Sequence, residues 1–413
     1  MFSGTLVRQI AFAMWACAVV FGAGAAPLDG VTRRSPLTNS RFVFETTGKG
    51  TVAFLGGSIT EMPGWRVLVI DELRKRFPKT EFTFTSAGIS STCSDAGAYR
   101  FQEDILDKGV PDLLFVEYAV NDSGDGYYLQ GRHDPATYTT HSLRGVEGIL
   151  RQARRANPKM DLVMTFFVAG GQLAELRQGK TPSSYTCHGR IAEHYGITTV
   201  SIGEALATAE KSGTFDWKRY GADSHPKREG CAFITGIYRA LFDAEWQGAV
   251  PSESVAYPLP AAIDPFSYTN ARFLPFSEIQ LGDGWQVAQP DWKAIPGHNR
   301  ANYRKGKILS SATPGAVCSF TFTGTAVGAW VLAGPDSGSV DVSIDGQPFR
   351  HFELFSQYSK GANGLHYPFV ETFADDLPAG KHTVRLRVGE TANPASTGHA
   401  VRLYRLCVNG SGR

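Results

Sequence analysis

The sequence predicts an α/β domain followed by a β-sandwich, and three observations support this prediction. From residue 51 to about 246, short apolar runs alternate with amphipathic helical stretches, which is typical of a parallel sheet with crossover helices. Prolines at positions 251, 258, 260 and 265 then indicate a linker. Beyond them apolar and polar residues alternate, as in antiparallel strands. We therefore expect an α/β domain over residues 40–247, a linker over 248–262 and a β-sandwich over 263–413.

Individual elements follow from the same periodicities. In the first domain we expect strands at 51–55, 81–85, 112–116, 161–167 and 197–202, and helices at 65–77, 96–106, 143–156 and 187–195. In the second we expect strands at 318–322, 339–344 and 382–388, with Asp345-Gly346 as a hairpin turn. We expect the sandwich after about Pro258 to be a separable core that serves substrate binding or stability but not chemistry.

The amino-acid composition limits the kinds of molecule that the protein is expected to bind. The 413 residues are 42% hydrophobic, which is enough for two cores. Lys and Arg number 41 and Asp and Glu 39, so no large positive field gathers phosphates. The balance argues against nucleic acid and favours a small neutral substrate.

Residues 1–26 resemble a secretory signal peptide. Arg8 supplies a positive start, residues 10–21 are apolar, and Ala23-Gly24-Ala25 forms a small-residue cleavage site. The apolar run is shorter than the roughly 20 residues that a spanning helix needs, so we expect cleavage rather than stable membrane insertion. The prediction is a secreted or periplasmic protein.

Cleavage would leave five cysteines in an oxidising compartment, so at least one thiol cannot pair within the chain. A bridge between Cys318 and Cys407 is plausible, although the sequence does not decide the pairing. There is no CxxC or Cys/His metal spacing, and we expect no metal or organic cofactor.

Ser58 is the first candidate for chemistry. It lies in Gly56-Gly57-Ser58-Ile59-Thr60, between the first strand and the first helix. This position is the carboxyl edge of the sheet, where open α/β folds place their sites. The alternative is an ordinary Gly-Gly-Ser turn with Ser58 as a helix cap.

Three further blocks follow in order, at residues 86–91, 116–122 and 221–226. Together with the GGSIT segment they resemble the SGNH/GDSL hydrolase superfamily, in its GGSIT variant, over about residues 50–245. The resemblance implies a flavodoxin-like, three-layer α/β/α domain and a serine ester hydrolase. It implies Ser58 as nucleophile and His225 as general base. It also implies an oxyanion hole made by the amides of Ser58 and Ser91 and the side chain of Asn121.

Two positions depart from the family pattern. Ser91 stands where family members usually have glycine, so its backbone must avoid strongly positive φ or be strained. Asp223 is two residues before His225, whereas the family spacing is DxxH. Asp223 is the nearest candidate for the triad acid, Asp216 is a second, and a Ser–His dyad oriented by a backbone carbonyl is a third.

The substrate is predicted by analogy only. Export and an appended sandwich that resembles carbohydrate-binding jelly rolls favour an O-acetylesterase acting on polysaccharides. A lipase or general short-chain esterase and a non-catalytic glycan-binding protein remain alternatives. Four aromatic residues of the second domain could stack on sugar rings, although burial is the more usual fate of such side chains: Trp285, Trp292, Tyr358 and Tyr367.

Overall fold

A computed structural model describes residues 29–123 and 134–410. The predicted signal peptide, residues 1–26, lies outside the described residues. The α/β domain contains β1 Val31–Thr32, α1 Thr38–Thr47, β2 Lys49–Gly56, α2 Ser58–Glu61, α3 Trp65–Arg76, β3 Glu81–Gly88, α4 Ser94–Asp104, β4 Leu113–Glu117, α5 Pro135–Ala156, β5 Asp161–Phe166, α6 Gly170–Arg177, α7 Ser183–His194, β6 Thr198–Ser201, α8 Ile202–Lys211, α9 Trp217–Tyr220 and α10 Arg228–Glu245. The C-terminal part contains β7 Ala271–Leu274, β8 Gln286–Ala288, β9 Ile308–Ser311, β10 Val317–Gly324, β11 Ala326–Ala333, β12 Ser339–Ile344, β13 Arg350–Glu353, β14 Tyr367–Ala374, β15 Gly380–Val388 and β16 Val401–Asn409.

All five strands predicted for the first domain are present, as are the four helices. The largest difference is at α5, which begins at Pro135 rather than near residue 143. Asp134 caps it by accepting hydrogen bonds from the amides of Ala136 and Thr137. The first two turns are largely polar, so apolar periodicity does not reveal them.

The α/β sheet has the strand order β1-β6-β5-β4-β2-β3, in which β2 to β6 are parallel and β1 is antiparallel to β6. Counted without β1, this is the flavodoxin-like order, with its switch point between β2 and β4. Gly56 of β2 pairs in register with Gly88 of β3 and with Glu117 of β4. The carboxyl ends of three strands therefore meet at one place on the sheet edge.

Two apolar clusters cover the two faces of this sheet. Ala53 and Leu55 of β2 face a cluster with α4, α5 and α7, whereas Val52 and Phe54 face one with α1, α3, α8 and α10. The alternation follows from the two-residue repeat of a strand. The result is the predicted three-layer arrangement.

The C-terminal part forms two antiparallel sheets packed face to face. One has the order β10-β15-β12-β13, and the other β14-β11-β16-β9-β8, with β7 also paired to β16. Side chains of both sheets share one buried cluster, as in a sandwich. Asp345 and Gly346 both have positive φ, 52° and 75°, in the turn between β12 and β13. The turn is at the predicted place, although the connection runs over residues 345–349 because β13 begins only at Arg350.

The two parts also share a core. Trp330 and Val370 of the sandwich belong to the same buried cluster as Tyr99 and Phe101 of α4. Helix α4 contacts β7, β14 and β16. The sandwich therefore has an apolar core of its own and a second apolar face that covers the α/β domain.

The suggested disulfide bridge between Cys318 and Cys407 is not formed. Both cysteines are free and buried. Cys318 lies in the core of the sandwich, where Leu406 and Val408 of β16 also point. Cys407 stands between those two residues and points to the opposite face of its sheet, into the cluster shared with α4. The two sulfurs are therefore on opposite sides of a sheet.

Across residues 29–123 and 134–410, no helix combines the length and apolar character needed to cross a bilayer.

Candidate active site

Ser58 and His225 lie together at the carboxyl edge of the sheet. Ser58 is the first residue of α2, directly after β2, and His225 is in the segment that precedes α10. The Nε2 atom of His225 is 2.7 Å from the Oγ of Ser58, which is hydrogen-bonding distance. Nucleophile and base candidates, which are 167 positions apart in sequence, thus have the geometry required for proton transfer.

The glycines around Ser58 are required because backbones pack closely there, and not because their φ angles are unusual. A Cβ atom on Gly57 would lie 2.8 Å from the side-chain oxygen of Asn121. On Gly88, at the end of β3, it would lie 2.1 Å from the backbone nitrogen of Glu61. Neither glycine has positive φ, so what each supplies is the absence of a side chain. The turn that carries Ser58 can therefore pack directly against the ends of β3 and β4.

Asn121 presents a buried amide beside this turn. Its side chain is 3% exposed, and neither its nitrogen nor its oxygen has a hydrogen-bond partner among the described residues. An unpaired buried amide is costly, so the Asn121 N–H group is available to a partner other than the described residues. A developing oxyanion on a carbonyl attacked by Ser58 would be such a partner.

The residue after Asn121 is fixed by a buried network. One carboxylate oxygen of Asp122 accepts a hydrogen bond from the Ser94 amide at 2.9 Å. The other is 3.0 Å from the Nε2 of His188 and 3.1 Å from the Oγ of Ser142. Asp122 is therefore used in holding the Asn121 turn against α4, α5 and α7.

Ser91 adopts the strained alternative of the two that the sequence left open. Its φ is +64°, the left-handed region that glycine enters without penalty. A serine there costs on the order of 1–2 kcal/mol. The Ser91 side chain is engaged, since its Oγ accepts a hydrogen bond from the Nη2 of Arg300 at 2.9 Å. The loop after β3 therefore has the backbone conformation that a glycine at position 91 would adopt, although the residue there is serine.

The candidate acid Asp223 lies farther from His225 than Ser58 does. The closest carboxylate oxygen of Asp223 is 3.6 Å from the Nδ1 of His225, and the Asp223 side chain is 64% exposed. Ser224 lies between them, with its Oγ 3.1 Å from the Asp223 carboxylate and 3.3 Å from Nδ1. Asp216 serves elsewhere, because it caps α9 by accepting a hydrogen bond from the Arg219 amide. Asp223 therefore stays the nearer acid, at ion-pair rather than hydrogen-bonding distance.

A buried acid that was not among the predicted site residues lies behind Ser58. Glu117, the last residue of β4, is 1% exposed and accepts hydrogen bonds from the Thr60 hydroxyl at 2.9 Å and the Gly57 amide at 3.3 Å. Burial raises its pKa from 4.5 to about 8. An acidic residue at the end of an apolar strand was the available signal. Glu117 braces both flanks of Ser58.

Arg100 was also not among the predicted site residues, because the sequence of a helix does not show which of its polar side chains is buried. The Nη2 of this buried residue of α4 lies within hydrogen-bonding distance of the carbonyls of Gly56 and Ala87 and of the Tyr118 hydroxyl. One guanidinium therefore ties together the ends of β2, β3 and β4, from which the candidate site is built. An ion pair with Asp104 balances its charge.

The described residues leave the site open rather than enclosed. The His225 side chain is 41% exposed and Ser58 is half-buried. A cavity of about 650 Å³ lies elsewhere, between α4, α5 and β7. A cavity that Asn121 does line has a volume of about 20 Å³, room for little more than one water-sized group. What marks the candidate site is the convergence of Ser58, His225 and Asn121.

The aromatic residues considered for sugar stacking are largely structural. Trp285 and Tyr367 are 6% and 3% exposed. Trp292 and Tyr358 are half-buried, Trp292 against the ring of His366 and Tyr358 against that of Tyr367. Burial therefore accounts for Trp285 and Tyr367, whereas Trp292 and Tyr358 are partly covered by their ring partners. No group of His, Cys, Asp and Glu residues suited to a metal ion occurs within the described ranges.

Comparisons with known proteins identify the family of this site. Residues 54–233 match the model of the GDSL-like lipase/acylhydrolase family. No curated protein sequence shows a significant match. Two crystal structures of a two-domain esterase active on acetylated mannans, one co-crystallised with mannopentaose, are 19% and 18% identical to this chain. Each aligns over 93% of this chain and 98% of its own, with a TM-score of 0.71. A catalytic mutant of an acetylxylan esterase from Geobacillus stearothermophilus is 17% identical over 46% of this chain and 94% of its own, with a TM-score of 0.40.

The likeness to the two-domain esterase covers the α/β domain and the sandwich together, so the whole described fold has a precedent. The family match covers the part of the chain that carries Ser58, Ser91, Asn121 and His225. On these grounds residues 54–233 belong to the GDSL-like lipase/acylhydrolase family of the SGNH superfamily, and the chain is a carboxylic ester hydrolase.

Proposed function

We propose that this protein is an exported carbohydrate O-acetylesterase, which removes acetyl groups from polysaccharides. The observation that carries the chemistry is the 2.7 Å contact between Ser58 and His225 next to the unpaired amide of Asn121. The proposal for the carbohydrate rests on the arrangement of the whole chain. Export is proposed from the character of residues 1–26 alone.

The reaction proceeds in two acyl transfers. His225 Nε2 takes the Ser58 proton while Oγ bonds to the acetyl carbonyl carbon, and the carbonyl electron pair moves onto oxygen. The amides of Ser58 and Ser91 and the side chain of Asn121 donate to that oxyanion. Collapse breaks the bond to the sugar oxygen, which leaves with the proton from His225. Water, deprotonated by His225, then cleaves the acetyl-serine and releases acetate.

The nature of the second domain supports a carbohydrate substrate. The similar two-domain esterase acts on acetylated mannans, and it aligns with this chain along 98% of its own length. An open site suits a polymer, because a chain can lie across the surface while one acetyl group reaches Ser58. The nearly balanced charge of the protein suits a neutral glycan.

We favour acetyl esters over the lipase alternative. The similar two-domain esterase is active on acetylated mannans, whose ester groups are acetyl groups. The comparison between an acetate and an octanoate ester tests this choice.

The test compares four substrates: acetylated mannan, acetylated xylan, p-nitrophenyl acetate and p-nitrophenyl octanoate. We expect acetate release from a polysaccharide with a higher kcat/KM than for p-nitrophenyl acetate, and no octanoate cleavage. Ser58→Ala is the matched control, since it removes one oxygen atom. It should abolish all activity and all labelling by a fluorophosphonate, while the unfolding midpoint stays near that of the parent.

Each alternative has its own outcome. Preference for octanoate would make the protein a lipase or general esterase. Fluorophosphonate labelling that survives Ser58→Ala would assign the nucleophile to another residue. Glycan binding by a folded protein that neither cleaves an ester nor labels at Ser58 would indicate a non-catalytic binding protein.

A further inference from the structure

A contact between the sandwich domain and the α/β domain falls on the loop that carries Ser91. Arg300 comes from the connection between β8 and β9, directly before a 3₁₀ turn, Ala301–Tyr303. Its Nη1 donates to the backbone carbonyl of Ser90 at 2.7 Å, and its Nη2 donates to the Oγ of Ser91 at 2.9 Å. One guanidinium thus holds two consecutive residues of the loop.

The first of these contacts acts on the peptide unit that supplies the oxyanion donor. The carbonyl of Ser90 and the N–H of Ser91 belong to the same planar, trans peptide. In a trans peptide the C=O bond and the N–H bond point in opposite directions. When Arg300 holds the Ser90 carbonyl, the Ser91 N–H must therefore point away from Arg300. A cation at the carbonyl also draws electron density from the amide, which makes the N–H a stronger donor.

The loop is held from the other side by Glu61. One carboxylate oxygen of Glu61 accepts a hydrogen bond from the Ser90 amide at 2.8 Å and another from the Ser90 hydroxyl. Its other oxygen accepts one from the Asn302 side chain at 2.9 Å. Ser90 is therefore clamped at both its N–H and its carbonyl, and residues of the sandwich domain take part on both sides.

We propose that Arg300 is a positioning residue for ester hydrolysis, which orients the Ser90–Ser91 peptide as an oxyanion donor from the second domain. Ser91 adopts a left-handed backbone conformation, which costs a serine more than it costs a glycine. The Ser91 hydroxyl also accepts a hydrogen bond from Arg300, a contact that a glycine could not make. The inference rests on the proposed role of the Ser91 amide. The second domain then contributes to chemistry through Arg300, in addition to any part in holding glycan.

The test uses Arg300→Ala with Arg304→Ala as its control. Arg304 is in the same connection, is exposed and donates to the carbonyl of Asn299 within its own domain. We measure kcat and KM for p-nitrophenyl acetate and the rate at which a fluorophosphonate labels Ser58. Both probes are too small to need the second domain for binding, and both reactions place negative charge in the oxyanion hole.

Arg300→Ala should lower kcat and the labelling rate about tenfold to 100-fold, below the roughly 100-fold to 1000-fold typical for a lost oxyanion donor. KM should stay within about threefold, because the oxyanion forms only after binding. Arg300→Lys keeps the charge but not the two-pronged geometry, and should recover only part of the loss. Arg304→Ala should match the parent.

A double mutant separates positioning from general destabilisation. In a Ser91→Gly background the hydroxyl contact is absent and the backbone adopts positive φ freely, so Arg300→Ala should cost several-fold less than in the parent. Equal losses in the two backgrounds would overturn the proposal, as would an unchanged labelling rate in Arg300→Ala. A raised KM on acetylated polysaccharide with normal kcat on p-nitrophenyl acetate would make Arg300 a glycan-binding residue instead. Failure of the parent on every polysaccharide, with p-nitrophenyl acetate still cleaved, would reject the proposed substrate and leave this inference standing.

Discussion

Replacing Asp223 by Asn should lower kcat by less than about tenfold. The change keeps the shape of the side chain and removes its charge. The carboxylate is 3.6 Å from the Nδ1 of His225 and 64% exposed. At that distance in a medium close to water, the attraction to an imidazolium is about 1 kcal/mol, which corresponds to roughly a fivefold rate effect. A hydrogen-bonded acid in a serine protease triad is worth about 10,000-fold, so the two cases are easily distinguished.

The assay is kcat for p-nitrophenyl acetate at low and high ionic strength, with Asp216→Asn and Ser224→Ala alongside. Asparagine caps helices as well as aspartate does, so Asp216→Asn should leave kcat unchanged. Ser224→Ala removes the hydroxyl that bridges the Asp223 carboxylate and Nδ1, and should cost no more than Asp223→Asn. Added salt should shrink the Asp223 effect, because exposed charges are screened. A loss above about 1000-fold in Asp223→Asn would refute this reasoning and show that the carboxylate closes onto His225 during turnover.

Two further predictions concern residues beside and behind Ser58. Asn121→Ala should lower kcat about 100-fold to 1000-fold with little change in KM, since its amide has no partner among the described residues and is proposed to donate to the oxyanion. An unchanged kcat would remove Asn121 from the proposed oxyanion hole. Glu117→Gln should stabilise the protein increasingly as the pH rises from about 4.5 to about 8. Burial raises the folded-state pKa of Glu117, so over that range the unfolded chain ionises first and the parent loses stability. Urea unfolding at several pH values should give a gain of about 3–5 kcal/mol by pH 8 and none near pH 4, and a gain independent of pH would contradict the assigned cause.

The part of the candidate site that could be predicted consists of residues that come shortly after the ends of strands in the sequence. Ser58 and Asn121 come shortly after β2 and β4, and the carboxyl ends of neighbouring parallel strands must meet, so their proximity follows from order along the chain. His225 was placed by the family pattern before the last helix. Arg300, by contrast, lies 209 positions from Ser91 and on another domain. No local pattern connects two residues that meet only because two domains dock.

What the sequence determined by itself was the kind and order of the elements, because periodicities of 2 and 3.6 residues record which faces of strands and helices are buried. It also indicated the turn that carries Ser58, since glycines at positions 56, 57 and 88 are needed where backbones pack this closely. The tertiary structure decided which side of β16 faces which core, and therefore that Cys318 and Cys407 cannot meet. It decided the left-handed backbone at Ser91, the distance between Asp223 and His225, and the reach of Arg300 across the domain interface. These features depend on packing between distant segments, which a linear pattern does not encode.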